Sequence, residues 1–234
     1  MATRSNVGAT LTDGEVETLF RRLAEAYPGR DLRPESAKTA KDPFRSCVSC
    51  LLSAQSLNSN TRKATTALFK LARTPRTILK LSDEAIIEAI KPAGLYNNKA
   101  KSLRRLCAAL VEEHGGKVPE TREGLMALPG IGRKCADIVL HFAFHKPVCA
   151  VDTHVHRVAN RVGLAHGNTN EATAKALEPR IPDWAMWDAH VRLISWGKRV
   201  CRSQRPQCEG CLARDMCVSL RRQGGERLET SPAR

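Results

Sequence analysis

Four cysteines crowd into seventeen residues near the end of this chain. The segment CRSQRPQCEGCLARDMC places Cys201, Cys208, Cys211 and Cys217 in the order C-x6-C-x2-C-x5-C. Thiols this dense either pair as disulfides or share a ligand. The first twenty residues, MATRSNVGATLTDGEVETLF, lack the continuous apolar core of a secretory signal. That predicts a soluble, cytoplasmic protein whose thiols stay reduced, so a disulfide framework is disfavoured. Four thiolates then suit tetrahedral zinc or a 4Fe–4S cluster. Zinc ribbons more often use two C-x2-C pairs, and this run has one. The other five cysteines, Cys47, Cys50, Cys107, Cys135 and Cys149, lie in apolar helical patterns. Cys47 and Cys50, at i and i+3, read as core filler.

At 234 residues the chain can bury one sizeable core or two small ones. Thirty-eight Lys and Arg against 24 Asp and Glu give a net charge of +14. The basic residues are spread through structured-looking segments, which favours a nucleic-acid partner over a membrane surface. No run of about 20 apolar residues suggests a membrane span. Helical patterning dominates: TDGEVETLFRRLAEAYPG opens on a capping box from Thr12 to Glu15 and stops at Pro28-Gly29. Apolar residues recur at helical spacing in FRSCVSCLLSAQ, TRKATTALFKLA, DEAIIEAIKPAG, KAKSLRRLCAALVEEHGG and WDAHVRLISWGKRVC. Only KPVCAVDTHV has a β-like run, and it is too short and isolated for a sheet. The expected fold class is all-α, with a polar, mobile tail over 218–234.

The segment TREGLMALPGIGRKCADIVLHFAF reads as helix, tight hairpin, helix. Gly130 and Gly132 allow positive φ and close approach of a foreign backbone, and the free N–H groups of the second helix favour an anion such as a DNA phosphate. Taken alone, a Gly-x-Gly is more often an ordinary helical corner. At about 100° per residue, Ile131, Cys135, Ile138, Val139 and Phe142 form one stripe, with Lys134 just beyond its edge. A lysine there either snorkels to solvent or is partly desolvated, which would make it a nucleophile. Shortly after, AVDTHVHRVANRV puts Val151, Val155, Val158 and Val162 on one face and His154, Arg157 and Arg161 on another. Asp152 stands at the N-cap of that helix, where a carboxylate caps, or manages a proton and a developing positive charge.

In combination, Lys134 behind LPGIG, the VDTHVHRV segment, the four-cysteine ending, LLSAQS and AGLYNNKA resemble the endonuclease III family of DNA glycosylases, in the helix-hairpin-helix superfamily. The resemblance covers about residue 10 to Cys217. It implies a six-helix domain over 36–146 that contains the hairpin. A discontinuous second domain, 1–35 and 147–217, would hold a 4Fe–4S cluster on Cys201, Cys208, Cys211 and Cys217, with a DNA-binding cleft between the two. It implies a monomer acting on double-stranded DNA that contains oxidised pyrimidines or abasic sites. Lys134 would attack C1′, expel the base and form a Schiff base, and β-elimination would then nick the strand. Asp152 would assist by proton transfer and charge stabilisation. A base must be flipped out for this chemistry, and Gln55 and Leu95 match the side chains that fill the gap. DNA contacts would fall to Gly130, Gly132, Arg133, His154, Arg202 and Arg205, with Lys198 and Arg199 extending the patch.

Three positions depart from the family pattern. Asn58 stands where aspartate is frequent, Cys135 where Thr or Ala is, and Asp137 where Asn is. They leave the nucleophile in place and bear on lesion range and turnover. The alternative is a weakly active or non-catalytic DNA-binding paralogue, which would keep Gly130, Gly132 and the charge without needing both Lys134 and Asp152.

Overall fold

A computed structural model describes residues 10–29 and 42–221. Its helices are α1 (Asp13–Ala26), α2 (Pro43–Ser53), α3 (Asn58–Leu71), α4 (Pro75–Leu79), α5 (Asp83–Ile90), α6 (Tyr96–His114), α7 (Arg122–Ala127), α8 (Arg133–Phe142), α9 (Thr153–Val162), α10 (Asn170–Leu177) and α11 (Met186–Arg199), with short 3-10 turns between some of them. No strand occurs among the described residues, and the β-like run around Val148 has no regular secondary structure before entering α9. No helix among the described residues is long and apolar enough to cross a membrane.

The chain divides into two compact units, one of residues 33–148 and one of residues 1–32 with 149–234. The first boundary lies outside the described residues; the second falls two residues beyond the expected position. Where six helices were expected over 36–146, the described residues of the 33–148 unit hold seven, α2 to α8. The five-residue α4 is an addition, held by a reciprocal cap between Thr74 and Thr77.

Local chemistry explains the element ends. In α1 the Glu15 backbone N–H donates to Thr12 Oγ1 at 3.3 Å, and Thr12 N–H donates back to Glu15 Oε2 at 2.8 Å. Such a cap contributes about 1 kcal/mol. Asp42 caps α2 by accepting from Phe44 and Arg45, with Pro43 at the first helical position where its missing N–H costs nothing. Gly115, at φ 62°, ends α6 in the left-handed conformation.

Each unit has its own core. In the 33–148 unit, Val48, Leu52, Leu68, Ile78, Ile86, Ile90, Leu103 and Leu106 are fully buried. In the other, Leu19, Phe20 and Leu23 of α1 pack with Val155 and Val158 of α9 and with Leu193 and Trp196 of α11. Gly197 is needed there: a Cβ would come within 3.1 Å of Val158 Cγ2 and 3.2 Å of His154 Cβ, so α9 and α11 approach closely.

Part of the expected mobile tail is placed. Val218 is buried, Ser219 Oγ donates to Arg161 O at 2.7 Å, and Arg221 pairs with Glu15 at 2.6 Å. Residues 222–234 lie outside the described residues.

Candidate functional site

The hairpin consists of α7, the turn Leu128-Pro129-Gly130-Ile131-Gly132, and α8. Leu128 and Ile131 are buried, and Ile131 N–H donates to Leu128 O at 3.1 Å. The two glycines serve different ends. Gly130 lies at φ +81°, and a Cβ on it would meet Leu51 Cδ1 of α2 at 3.3 Å. Gly132 is extended, at φ −89°, so the expected positive φ does not occur there. A Cβ on it would meet nothing within 4 Å. Its smoothness leaves open space before the N-terminus of α8, which no side chain caps.

The buried face of α8 differs from the expected stripe. It runs through Ala136, Val139 and Leu140, while Ile138 and Phe142 are only half-buried. Asp137 and His141 are buried on the side that also carries Lys134. Asp137 Oδ1 accepts from Arg122 Nε at 2.7 Å, and Arg133 Nε stands 3.6 Å from Oδ2. One turn earlier that side is uncovered, and Lys134 is exposed. Arg133, one of the expected DNA contacts, places its Nε 3.6 Å from Asp137 Oδ2, with 13% of its side chain exposed. Its backbone N–H at the helix start remains the feature suited to an anion.

Cys135 is neither inert nor isolated. Interaction with the Cys50 thiol of α2, with the Lys134 charge nearby, draws the Cys135 pKa down, and the same interaction together with burial pushes the Cys50 pKa well up. Burial pushes the neighbouring Cys47 to about 12.

Gln55 follows α2 and Leu95 precedes α6. Both are exposed, and both adopt left-handed backbone, at φ 50° and 48°. Asn58 is the exposed first residue of α3, whose N-cap Leu57 makes no side-chain capping bond.

In the other unit Asp152 does cap α9. Its Oδ1 accepts from His154 and Val155 N–H, both at 2.9 Å. Oδ2 accepts no hydrogen bond among the described residues. His154 is half-buried, and Arg157 Nη2 lies 3.2 Å from its Nδ1. Burial pushes the His154 pKa down, with Arg157 and Lys198 adding to the fall and Asp152 opposing it.

Arg157 and Arg161 build the cysteine loop, a role the sequence reading missed. Arg157 donates to Gly197 O at 2.8 Å and Cys201 O at 3.0 Å; Arg161 donates to Arg202 O at 2.6 Å and Ser203 O at 2.9 Å. Their i, i+4 spacing opposite the valine stripe was the available signal. Arg22 of α1 clamps the far end through both oxygens of Asp215 and through Leu212 O. The loop presents Arg202 and Arg205 to solvent, the latter at φ 48°.

The donor set fits a shared multi-thiolate ligand. All four cysteines are free and half-buried, and Cys201, Cys211 and Cys217 feel one another electrostatically. Burial raises the Cys201 and Cys211 pKa values, against the pull of Arg161 on the first and of Trp196 on the second. Trp196 Nε1 is buried with no hydrogen-bond partner of ordinary geometry, so its N–H is available to a ligating sulfur. Among the described residues no three His, Cys, Asp or Glu side chains close around one ion.

Comparison with known proteins defines the class. Residues 48–183 match the model of the HhH-GPD superfamily base excision DNA repair proteins. Endonuclease III of Thermotoga maritima is 38% identical over 209 residues, covering 89% of this chain and 95% of the relative. The solved structure of a non-covalent endonuclease III–DNA complex superposes with a TM-score of 0.80 at 32% identity, over 92% of this chain and 100% of that one. A trapped endonuclease III–DNA covalent intermediate superposes at 0.78 with 34% identity and the same coverage. The chain thus belongs to the HhH-GPD superfamily and, within it, to the endonuclease III family.

Proposed function

We propose that this chain is a bifunctional DNA glycosylase and AP lyase of base excision repair, which removes oxidised pyrimidines from duplex DNA. The observation that carries the reading is Lys134: an exposed amine one residue inside an uncapped helix, beside the open approach at Gly132. A solved relative of the same family was trapped as a covalent intermediate with DNA.

The chemistry follows from that amine. Its lone pair attacks C1′ of the flipped nucleotide, the N-glycosidic bond breaks, and the base leaves with a proton. The resulting Schiff base acidifies the C2′ hydrogen; loss of that proton breaks the C3′–O bond, and water then releases Lys134. The free Oδ2 of Asp152 is suited to proton transfer and to stabilising positive charge at the sugar, because Oδ1 is already committed to the cap. Gly130 and Gly132 bring α8 against the phosphate backbone, Arg202 and Arg205 add exposed charge, and Gln55 and Leu95 fill the vacated stack. Arg133 and His154 contribute chiefly by shaping their helices, since both side chains are engaged within the protein. Cys201, Cys208, Cys211 and Cys217 are the residues to hold a 4Fe–4S cluster, which when bound supplies a rigid electrostatic cross-link for the loop.

Borohydride reduction tests the reading. The wild type should yield a covalent conjugate with thymine-glycol duplex, and Lys134→Gln should bind the duplex without forming it. A conjugate in the variant would overturn the assignment.

A further inference from the structure

Gln55 and Leu95 stand at φ 50° and 48°, a region unfavourable for a non-glycine residue that persists only where surrounding structure imposes it. Both are exposed, Leu95 at 54%, so their own packing does not impose it. The constraint must act through the backbone that leads to them. One side chain reaches both segments. Lys99 of α6 donates from Nζ to Leu52 O at 2.9 Å, three residues before Gln55, and to Ala93 O at 2.8 Å, two residues before Leu95. Only 5% of Lys99 is exposed. A buried ammonium is expensive, and an apolar side chain of similar volume would fill the space at less desolvation cost. Two carbonyls, one in the last turn of α2 just before Gln55 and one in the 3-10 turn just before Leu95, give that cation a purpose that filling space does not.

We propose that Lys99 is a positioning residue that clamps the Gln55 and Leu95 loops in one register, so that both side chains enter the DNA stack together. The inference rests on the reading of Gln55 and Leu95 as gap-filling residues. The cation draws two carbonyls onto one nitrogen and so fixes the spacing between the loop ends. Without it each loop can relax out of its left-handed turn, and insertion of two side chains becomes two uncoupled events. The burial that pushes the Lys99 pKa down also strengthens its hydrogen bonds, because they are poorly screened.

The test compares a substrate that has a stack to vacate with one that does not. In Lys99→Met, single-turnover base release from thymine-glycol duplex should slow by about 10- to 100-fold, the usual scale for a misplacement of roughly 1 Å. The fluorescence rise of 2-aminopurine opposite the lesion should slow with it. Nicking of a single-stranded abasic oligonucleotide should change less than twofold. In a Gln55→Ala/Leu95→Ala background, Lys99→Met should add little further loss on duplex, as expected for groups acting as a unit. Lys99→Arg, which keeps the charge, should lie between wild type and Lys99→Met on duplex and supplies the same comparison should the methionine variant not fold. Equal loss on both substrates, or full additivity in the triple variant, would show a merely structural lysine and overturn the inference. Unchanged duplex activity in Gln55→Ala/Leu95→Ala would overturn the gap-filling reading itself. Loss there beside wild-type behaviour in Lys99→Met would overturn the clamp alone.

Discussion

Arg122 and Asp137 tie the two helices of the hairpin together: Arg122 Nε donates to Asp137 Oδ1 at 2.7 Å, and the carboxylate side chain is 1% exposed. The pair lies one turn from Lys134, so the ion pair and the proposed nucleophile share a side of α8. Removing one partner from a buried pair costs about 3–5 kcal/mol, because a charge is left without its match. Asp137→Ala should therefore lower stability by about 3 kcal/mol in urea denaturation. Asp137→Asn keeps an acceptor for Arg122 and should cost distinctly less. Equal losses in the two variants would show that the carboxylate charge is not what holds the hairpin.

The hairpin glycines should separate stability from binding. Gly130→Ala places a Cβ at φ +81° and 3.3 Å from Leu51 Cδ1, so it should cost about 1–2 kcal/mol. Gly132→Ala meets no protein atom and needs no unusual backbone; melting should be nearly unchanged. Its methyl group stands in the open space before α8, where a phosphate would approach, so affinity for undamaged duplex should fall. Duplex affinity should fall steeply with salt in both variants and in the wild type, because phosphate contacts release counterions. A Gly132→Ala protein that binds duplex normally would count against backbone contact at that point.

His154 gives a pH-dependent contribution with a definite sign. A guanidinium only donates, so Nδ1 must accept from Arg157 Nη2 at 3.2 Å, which fixes the ring as neutral with its hydrogen on Nε2. The folded pKa lies below the ordinary 6.5, so between the two values the unfolded chain binds the proton and the folded chain does not. The stability held by neutral His154 is fully present above pH 6.5 and is lost as pH falls through the folded pKa. Comparing wild type with His154→Gln between pH 7.5 and 5, the wild-type melting temperature should drop more on acidification. Parallel curves would mean that this ring does not set the slope.

Much of the architecture was readable from local chemistry. The Thr12–Glu15 capping box, the Pro-Gly stops and the helical spacing of apolar residues place α1, α2, α3, α5, α6 and α11 close to where they occur. Lys134 and the cysteine spacing stand out because their local context is unusual on its own. Tertiary effects were hidden. The α8 stripe was misplaced because Asp137, polar by sequence, is buried by Arg122 from the preceding helix. Arg157 and Arg161 share a helix face with His154 in the sequence, and their hydrogen bonds run to backbone some 40 residues away. No periodicity contains that information, since the acceptors are carbonyls that every residue carries.

Those two arginines lead to a prediction about the cysteine loop. Cys201 and Cys211 have pKa values raised by burial, so they bind as thiolates only by releasing protons that the folded loop otherwise favours. Ligation should therefore weaken as pH falls and should be linked to folding of the unit built from α1 and α9 to α11. If Cys208 is one of the proposed cluster ligands, Cys208→Ser should lower both iron content and melting temperature. Arg161→Ala leaves all four thiols in place but releases the Arg202 and Ser203 carbonyls and withdraws the cation near Cys201 Sγ. That variant should retain iron on purification yet lose it to a chelator several-fold faster, with the gap widening at low pH, because Arg161 favours the Cys201 thiolate. Iron assays and visible absorbance over time would follow both. Equal chelation rates in wild type and Arg161→Ala would show that the loop is held by its ligand alone and that the bracket from α9 is incidental.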